Sequence, residues 1–465
     1  MLSWQQINLS FRASKGFITY TGDVKSGVLD VGRDILMRFE LLHPADQLVL
    51  MMNRIYQGGM TTTSGGNLSI LDENGDIWIT PTGIDKGTLT RGDMCRVKPD
   101  GEVIGPHKPS VELPFHATIY KRRLDLHAVL HAHPPALVAF SITRTLPETR
   151  LVANAWRTLG NITIAPYAVP GSQLLGDNIA AEFESGFDIV VLENHGVVIG
   201  AEDLFHAFQK FETLEATANL NILARKLGAP KALKESETSL TATRDHLTMD
   251  DFILNKHSSE EREARRDMIN LIHRSYRQHL FVSTQGTYSV RLSDGSFIIT
   301  PYGMDRAYME EADLVLVKNT MKEQGKTPSR SVLLHQRIYS LHPEIRSVLS
   351  ANPPHAMAFA VTDEPFDPRT IPESYIMLRE IQKVPFSAIY LKQDEVAAKF
   401  SSKTPVLICE NNQILVTGSS LINAFDRLEV AEATAHSILA ARDIGSLVHI
   451  SDAGMVEISE AFHLE

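Results

Sequence analysis

Apolar and polar positions along this chain keep changing period. "VELPFHATIYKRR" (111–123) carries apolar residues at helical spacing. "AEDLFHAFQKFETLEATANLNILARKLG" (201–228) does the same over a longer run, which Gly228 is placed to stop. Between these lie short apolar runs. "NLSILDENGDIWIT" (67–80) predicts two strands joined through Asn-Gly, and "HAVLHAHP" (127–134) a single strand. "FDIVVLENHGVVIGA" (187–201) predicts two strands around a turn at Asn194–Gly196. Alternation of this kind implies an α/β or α+β fold around one mixed or antiparallel sheet.

The same series then occurs again. "HAVLHAHPPALVAF" (127–140) and "RSVLSANPPHAMAF" (346–359) agree at seven of 14 positions, at an offset of 219. "IWITPTGIDK" (77–86) and "FIITPYGMDR" (297–306) agree at five of ten, at an offset of 220. "VVLENHGVVIG" answers to "VLICENNQILVTG" at an offset of 217 across the Glu-Asn pair. Conserved order at a nearly fixed offset marks two domains in tandem, because the period is far too long for a solenoid. The polar stretch 226–251, poor in aromatics, falls at the junction. "SSEEREARRDMINLIHRSYRQHL" (258–280) opens the second copy as a helix that Ser258 or Ser259 can cap; its counterpart is "PADQLVLMMNRIYQGG" (44–59). The expected organisation is an N-terminal extension over 1–40, a complete unit over 41–232, a connector over 233–257 and a degenerate unit over 258–465.

Composition narrows the function classes. With 465 residues, 43% hydrophobic and 22% charged, the chain has the material for well-packed cores. A net charge of −11 argues against general nucleic-acid binding, which rewards basic patches. No run of roughly 18 apolar residues is present, so no membrane span is expected. The N-terminal residues show neither a long apolar core nor a small-residue cleavage site, so no signal peptide is expected. Two cysteines far apart, Cys95 and Cys409, suit a reducing compartment, and a cytoplasmic location is the expectation.

Candidate chemistry lies in the histidines. Side chains alternate along a strand, so His131 and His133 face one way and can chelate one metal ion. His195, in the "ENHG" turn, is the candidate third ligand. His127 shares the parity but lies further out, and His116 projects from the preceding helix towards the site. A lone H-x-H is more often a surface coincidence. The pattern of loss changes the picture: in the second copy His131 becomes Ser350, His133 becomes Asn352 and His195 becomes Asn412. Glu112, opposite Ser331, is lost with them. A divalent metal acts as a Lewis acid on a carbonyl and its neighbouring hydroxyl and stabilises an enediolate. Glu112 is placed to move the proton, with Val111 and Leu113 as apolar neighbours that favour its protonated form. In "TTSGGNLS" (62–69) the glycines free backbone N–H groups to face an anion, and Thr82 and Gly83 add donors.

With "SGGNLS", "ITPTG", "PSVE" and "HAHP" followed by "ENHG" in this order, the chain resembles the class II aldolase/adducin family across both copies. The resemblance implies a three-layer α/β fold, a mostly antiparallel central sheet flanked by helices. It implies Zn2+, or another divalent transition metal such as manganese or cobalt, on His131, His133 and His195, with Glu112 as acid/base. It places a substrate or phosphate anchor on Gly66, Asn67, Thr82, Gly83 and Ser110. Tyr167 in "APYAVPG" matches the tyrosine that, from a neighbouring subunit, protonates the leaving carbon; the second copy has Phe386 there. Val111 replaces a second serine before the glutamate. The implied activity is aldolase-type cleavage of a small sugar, sugar phosphate or hydroxy-carbonyl compound. Dehydration, decarboxylation, epimerisation and a non-catalytic adducin-like assembly role are the alternatives. The implied assembly is a homo-oligomer, with a dimer building a pseudo-four-fold ring as one arrangement.

Overall fold

The computed structural model describes residues 39–244 and 248–464. Most of the expected extension and residues 245–247 of the expected connector lie outside them. Phe39–Leu42 belongs to a separate N-terminal unit and carries one 3₁₀ turn. The chain from His43 onwards forms the second unit, which contains both copies.

The first copy begins with the helix Pro44–Gln57. His43 caps it by accepting from the Ala45 N–H through Nδ1 at 3.1 Å, and Pro44 fits the first turn, where no N–H is needed. Its apolar stripe, Leu48, Met51, Met52 and Ile55, is fully buried. The hairpin follows as β1 (Asn67–Leu71) and β2 (Ile77–Ile79), turned where Asp72 accepts from the Asn74 N–H and Gly75 takes a positive φ. Then come β3 (Cys95–Val97), β4 (Val103–Ile104), the helix Leu113–Arg122 and β5 (Ala128–Ala132). The copy ends with β6 (Thr163–Ala165), β7 (Ile189–Leu192), β8 (Val197–Ala201) and the helix Leu204–Arg225. The sheet order is β4-β3-β2-β1-β5-β8-β7-β6, antiparallel except for β6 with β7. β5 is central and every one of its residues is buried, which explains its near-continuous apolar reading.

The second copy repeats the plan. Its nine-stranded sheet places β14 (Ser347–Ala351) between β10 (Thr287–Arg291) and β17 (Gln413–Gly418), as β5 lies between β1 and β8. The remaining strands are β9 (Asp251–Phe252), β11 (Phe297–Ile299), β12 (Val315–Lys318), β13 (Met321–Glu323), β15 (Ile381–Val384) and β16 (Val406–Cys409). Register is preserved across the duplication: Asn67 pairs with His131, and Thr287 with Ser350. Ser258 caps the helix Ser259–Arg277, accepting from the Glu261 N–H at 3.0 Å.

The stretch expected to act as a connector is structured. It holds a helical turn at Glu235–Thr238, a 3₁₀ segment at Ser239–Arg244, and β9, which joins β13 in parallel. Leu233, Thr238 and Thr241 are buried. The copies also meet through buried polar contacts. Arg54 of the first copy pairs with Asp305 of the second at 2.5 Å, donates to Tyr276 at 2.6 Å and lies over the Phe208 ring. Asn411 donates to the carbonyls of Leu151 and Lys231 at 2.9 and 2.6 Å.

Candidate metal centre and active site

The register of β1, β5 and β8 assembles the site. His131 lies opposite Asn67 on one side and Val198 on the other. His133 follows just beyond the end of β5, on the same face as His131. His195 is brought back by the turn between β7 and β8, where Asn194 adopts φ 55° and Gly196 packs on β5. A Cβ on Gly196 would stand 2.5 Å from the Ala132 carbonyl oxygen and 2.7 Å from the His133 ring, so only glycine lets the turn approach this closely. His127 is exposed and away from the site.

The three imidazoles form a nearly equilateral triangle. Ring centroids are 4.7 Å apart for His131 and His133, 4.8 Å for His131 and His195, and 4.9 Å for His133 and His195. One nitrogen from each ring falls within 4.8 Å of the others. His131 Nδ1 donates to the Val197 carbonyl at 3.0 Å, which leaves Nε2 bare and aimed inwards. The His133 Nε2 faces it at 3.0 Å. Two nitrogens each ~2.0–2.1 Å from one tetrahedral ion lie roughly 3.3 Å apart, so this spacing suits a shared cation. Burial pushes the His131 imidazolium down to about 3, helped by His133, and His195 down to about 4, helped by His131. Burial lowers His133 as well. All three are therefore held neutral, the state in which imidazole binds metal.

Glu112 completes the group. It is buried at the start of the helix Leu113–Arg122, with Oε2 3.4 Å from His131 Nε2. Val111 is 64% exposed and builds no wall around it. Its neighbours are polar instead. Asn67 Nδ2 donates to Glu112 Oε2 at 2.7 Å. A carboxylate only accepts, so the Asn67 carbonyl must face His116, whose Nε2 donates to it at 2.5 Å. The His116 Nδ1 then accepts from Ser69 Oγ at 2.7 Å, and Tyr120 hydrogen-bonds Ser69 at 2.6 Å. This directed chain holds Glu112 and leaves its Oε1 buried with no partner. His195 Nδ1 is likewise buried without a partner. Two unpartnered groups with lone pairs beside bare imidazole nitrogens form a donor set that fits a divalent cation. Ser69 and Tyr120 escaped the sequence reading, although Ser69 shares strand parity with Asn67 and Tyr120 stands four residues beyond His116.

The glycine- and threonine-bearing loops gather beside this group. Pro81 bridges to Pro109, Ser110 donates its N–H to the Thr80 carbonyl, Thr82 does so to Lys108, and Lys86 to Thr63. Gly66 and Gly83 take φ of 71° and 70°, and Ser110 accepts from the Glu112 N–H at 3.2 Å. Tyr167 stands apart. It is 52% exposed after β6, and its hydroxyl hydrogen-bonds neither Glu112 nor the imidazoles. Phe386 is buried among Ala153, Leu233 and Tyr390 and is not available to another chain.

Residues 46–222 and 266–439 both match the profile of the class II aldolase and adducin N-terminal domain. The chain belongs to the class II aldolase and adducin family. It is 35% identical over 198 residues to the 5-deoxy-D-ribulose 1-phosphate aldolase of Bacillus thuringiensis serovar kurstaki, covering 41% of this chain and 90% of that protein. It is 33% identical over 186 residues to the L-fuculose phosphate aldolase of Methanococcus maripaludis, covering 39% and 97%. It is 34% identical over 181 residues to the 3-oxo-tetronate 4-phosphate decarboxylase of Pectobacterium atrosepticum, covering 37% and 81%. Each relative thus corresponds to less than half of this class II aldolase-family chain, as expected of a tandem duplication. Among its described residues no helix is long and apolar enough to cross a membrane.

Proposed function

We propose that this chain is a metal-dependent lyase that breaks a carbon–carbon bond beside the carbonyl of a small phosphorylated hydroxy-carbonyl compound. The first copy is the catalytic one. The observation that carries the reading is the convergence of His131, His133, His195 and Glu112 in a copy whose twin has lost all four. The kinship with sugar-phosphate aldolases and a decarboxylase supports the reaction class.

In this reading His131, His133 and His195 hold a zinc ion or another divalent transition metal. When bound, the ion supplies Lewis acidity to the substrate's carbonyl and adjacent hydroxyl oxygens. Asn67 fixes one oxygen of Glu112, so the other, Oε1, is the atom that takes a hydroxyl proton and returns it. Gly66, Thr82, Gly83 and Ser110 receive the substrate's anionic group. With Val111 in place of a hydroxyl, that grip rests on backbone N–H groups and Ser110. Tyr167, exposed and remote from Glu112 in hydrogen bonding, serves the site of a neighbouring protomer in a homo-oligomer.

The test is metal analysis together with a panel of ketose 1-phosphates and 3-oxo sugar-acid phosphates. About one metal per chain is expected, with cleavage of at least one compound that Glu112→Gln abolishes while the metal stays. A metal-free native protein, or a Glu112→Gln rate equal to wild type, overturns the reading.

A further inference from the structure

The emptied copy retains a cavity of about 410 Å³, and the first copy helps to wall it. The helices Ala153–Leu159 and Leu204–Arg225 contribute Asn154, Arg157 and Lys210; the connecting 3₁₀ segment contributes Arg244, and the second copy Arg306 and Arg330. Five cationic side chains therefore line it, and among the described residues no carboxylate does. That is unusual in a chain with net charge −11.

Some of this charge is already engaged. Arg306 is buried and donates to the carbonyls of Gln285, Gly286, Pro301 and Met304, bracing the loop. Lys210 pairs with Asp188 at 2.8 Å, and Arg330 donates to Asn154 at 3.1 Å. Arg244 is different. Its guanidinium donates to one backbone carbonyl, that of Ile389, and lies 4.4 Å from the Tyr390 ring centroid. Its Nε is buried with no acceptor. Gln413, 93% buried at the position of Gly196, also lines the cavity with its Nε2 unpartnered.

The two pockets thus leave opposite groups unsatisfied. The first has lone pairs without a cation, on Glu112 and His195; the second is lined by N–H donors without an acceptor, on Arg244 and Gln413. Buried donors without partners are costly, and a ligand that only accepts relieves them. Gly286 and Gly303, with φ of 79° and 72°, leave backbone N–H groups to the same wall, beside the hydroxyls of Thr287 and Ser329. Arg330 occupies the position of Val111, and Ser331 that of Glu112.

We infer that the cavity of the second copy is a metal-free binding site for a small organic phosphate, closed by residues of the first copy. Guanidinium groups, glycine-loop N–H groups and hydroxyls are the recognition elements of a phosphate ester, and the volume admits a three- to six-carbon one. Because both copies build its walls, occupancy ties them together.

The test uses the full, metal-loaded chain and sn-glycerol 3-phosphate, with glycerol as control, in calorimetric titration at low salt. Saturable binding of the phosphate ester is expected, persisting after the metal is chelated, with no binding of glycerol. Arg244→Gln and Arg330→Gln should each weaken it by at least about tenfold, leaving metal content and lyase activity unchanged. Unchanged affinity in both folded variants, or equal binding of glycerol, overturns the proposal. Should both variants misfold, crystals of the wild-type chain soaked in the ester decide: ligand in this cavity supports the site, and an empty cavity at saturation refutes it. Metal content and activity are read separately, so the catalytic proposal can stand or fall on its own.

Discussion

Asn67 holds Glu112 in a single orientation: its amide donates to one carboxylate oxygen at 2.7 Å while its carbonyl is pinned by His116. The same asparagine faces His131 across the β1–β5 ladder, so one residue ties the proposed acid/base to the strand that carries the proposed metal ligands. In the second copy Thr287 takes this place and His335 turns to Ser350 at 3.3 Å instead. Replacing Asn67 by Ala should lower kcat by roughly 10- to 100-fold. Metal content, measured by atomic emission, should stay near wild type, because His116 alone among the imidazoles loses a partner and none of His131, His133 and His195 does. A variant that keeps full kcat sinks the positioning role.

Removal of the ligands should act differently. His131→Ala, His133→Ala and His195→Ala should each strip the chain of metal and of activity together. A second metal should not bind near Asn352 even in excess zinc, since Ser350, Asn352 and Asn412 offer no imidazole. Retention of about one tight metal by the His195→Ala protein under competition from a chelator would count against the triad.

The Arg54–Asp305 pair joins the copies in a buried setting, with side-chain exposures of 9% and 11%. Asp305→Ala leaves the guanidinium buried without its carboxylate. It should destabilise the chain by about 3–5 kcal/mol, whereas a double replacement by Met and Leu should cost much less. Denaturant unfolding of the single and double variants measures the difference, and equal losses would show that packing rather than charge is at stake.

Histidine burial sets the acid limb of stability. His335 is held down to about 3, chiefly by burial and then by the Arg244 charge, against an ordinary value of 6.5. Between these values the unfolded chain binds a proton that the folded chain refuses. The stability that His335 contributes is therefore full above about pH 6.5 and is lost as the pH falls towards 3. His335→Gln should flatten that slope by up to about 1.4 kcal/mol per pH unit. Unfolding midpoints at two pH values on the acid limb, for wild type and variant, provide the measurement; parallel slopes would refute it.

Much of the cluster of His131, His133, His195 and Glu112 was legible because strand parity is local. His131 and His133 are two residues apart, and their joint loss with His195 at offsets of 219 and 217 marked the three as one unit. What escaped depends on packing between distant segments. Arg244 sits in a polar stretch that reads as a linker, yet the 3₁₀ segment Ser239–Arg244 delivers it beside Tyr390. Lys210 reads as one polar position of a long helix, and only the apposition of the two copies turns it towards the other's cavity. Tyr120 and Ser69 look like routine helix and strand residues until the His116 ring is seen between Ser69 and Asn67.

The second copy satisfies its altered polar residues largely from within: Asn352 donates to the Asn412 carbonyl at 2.6 Å, and Asn412 to the Tyr390 hydroxyl at 3.0 Å. Asn352 and Asn412, which stand where the first copy has His133 and His195, thus find partners inside their own half and need no ion to hold them in place. Removal of divalent metal would therefore leave this half folded. Circular dichroism of the chelated protein should still report a cooperative melt for this half.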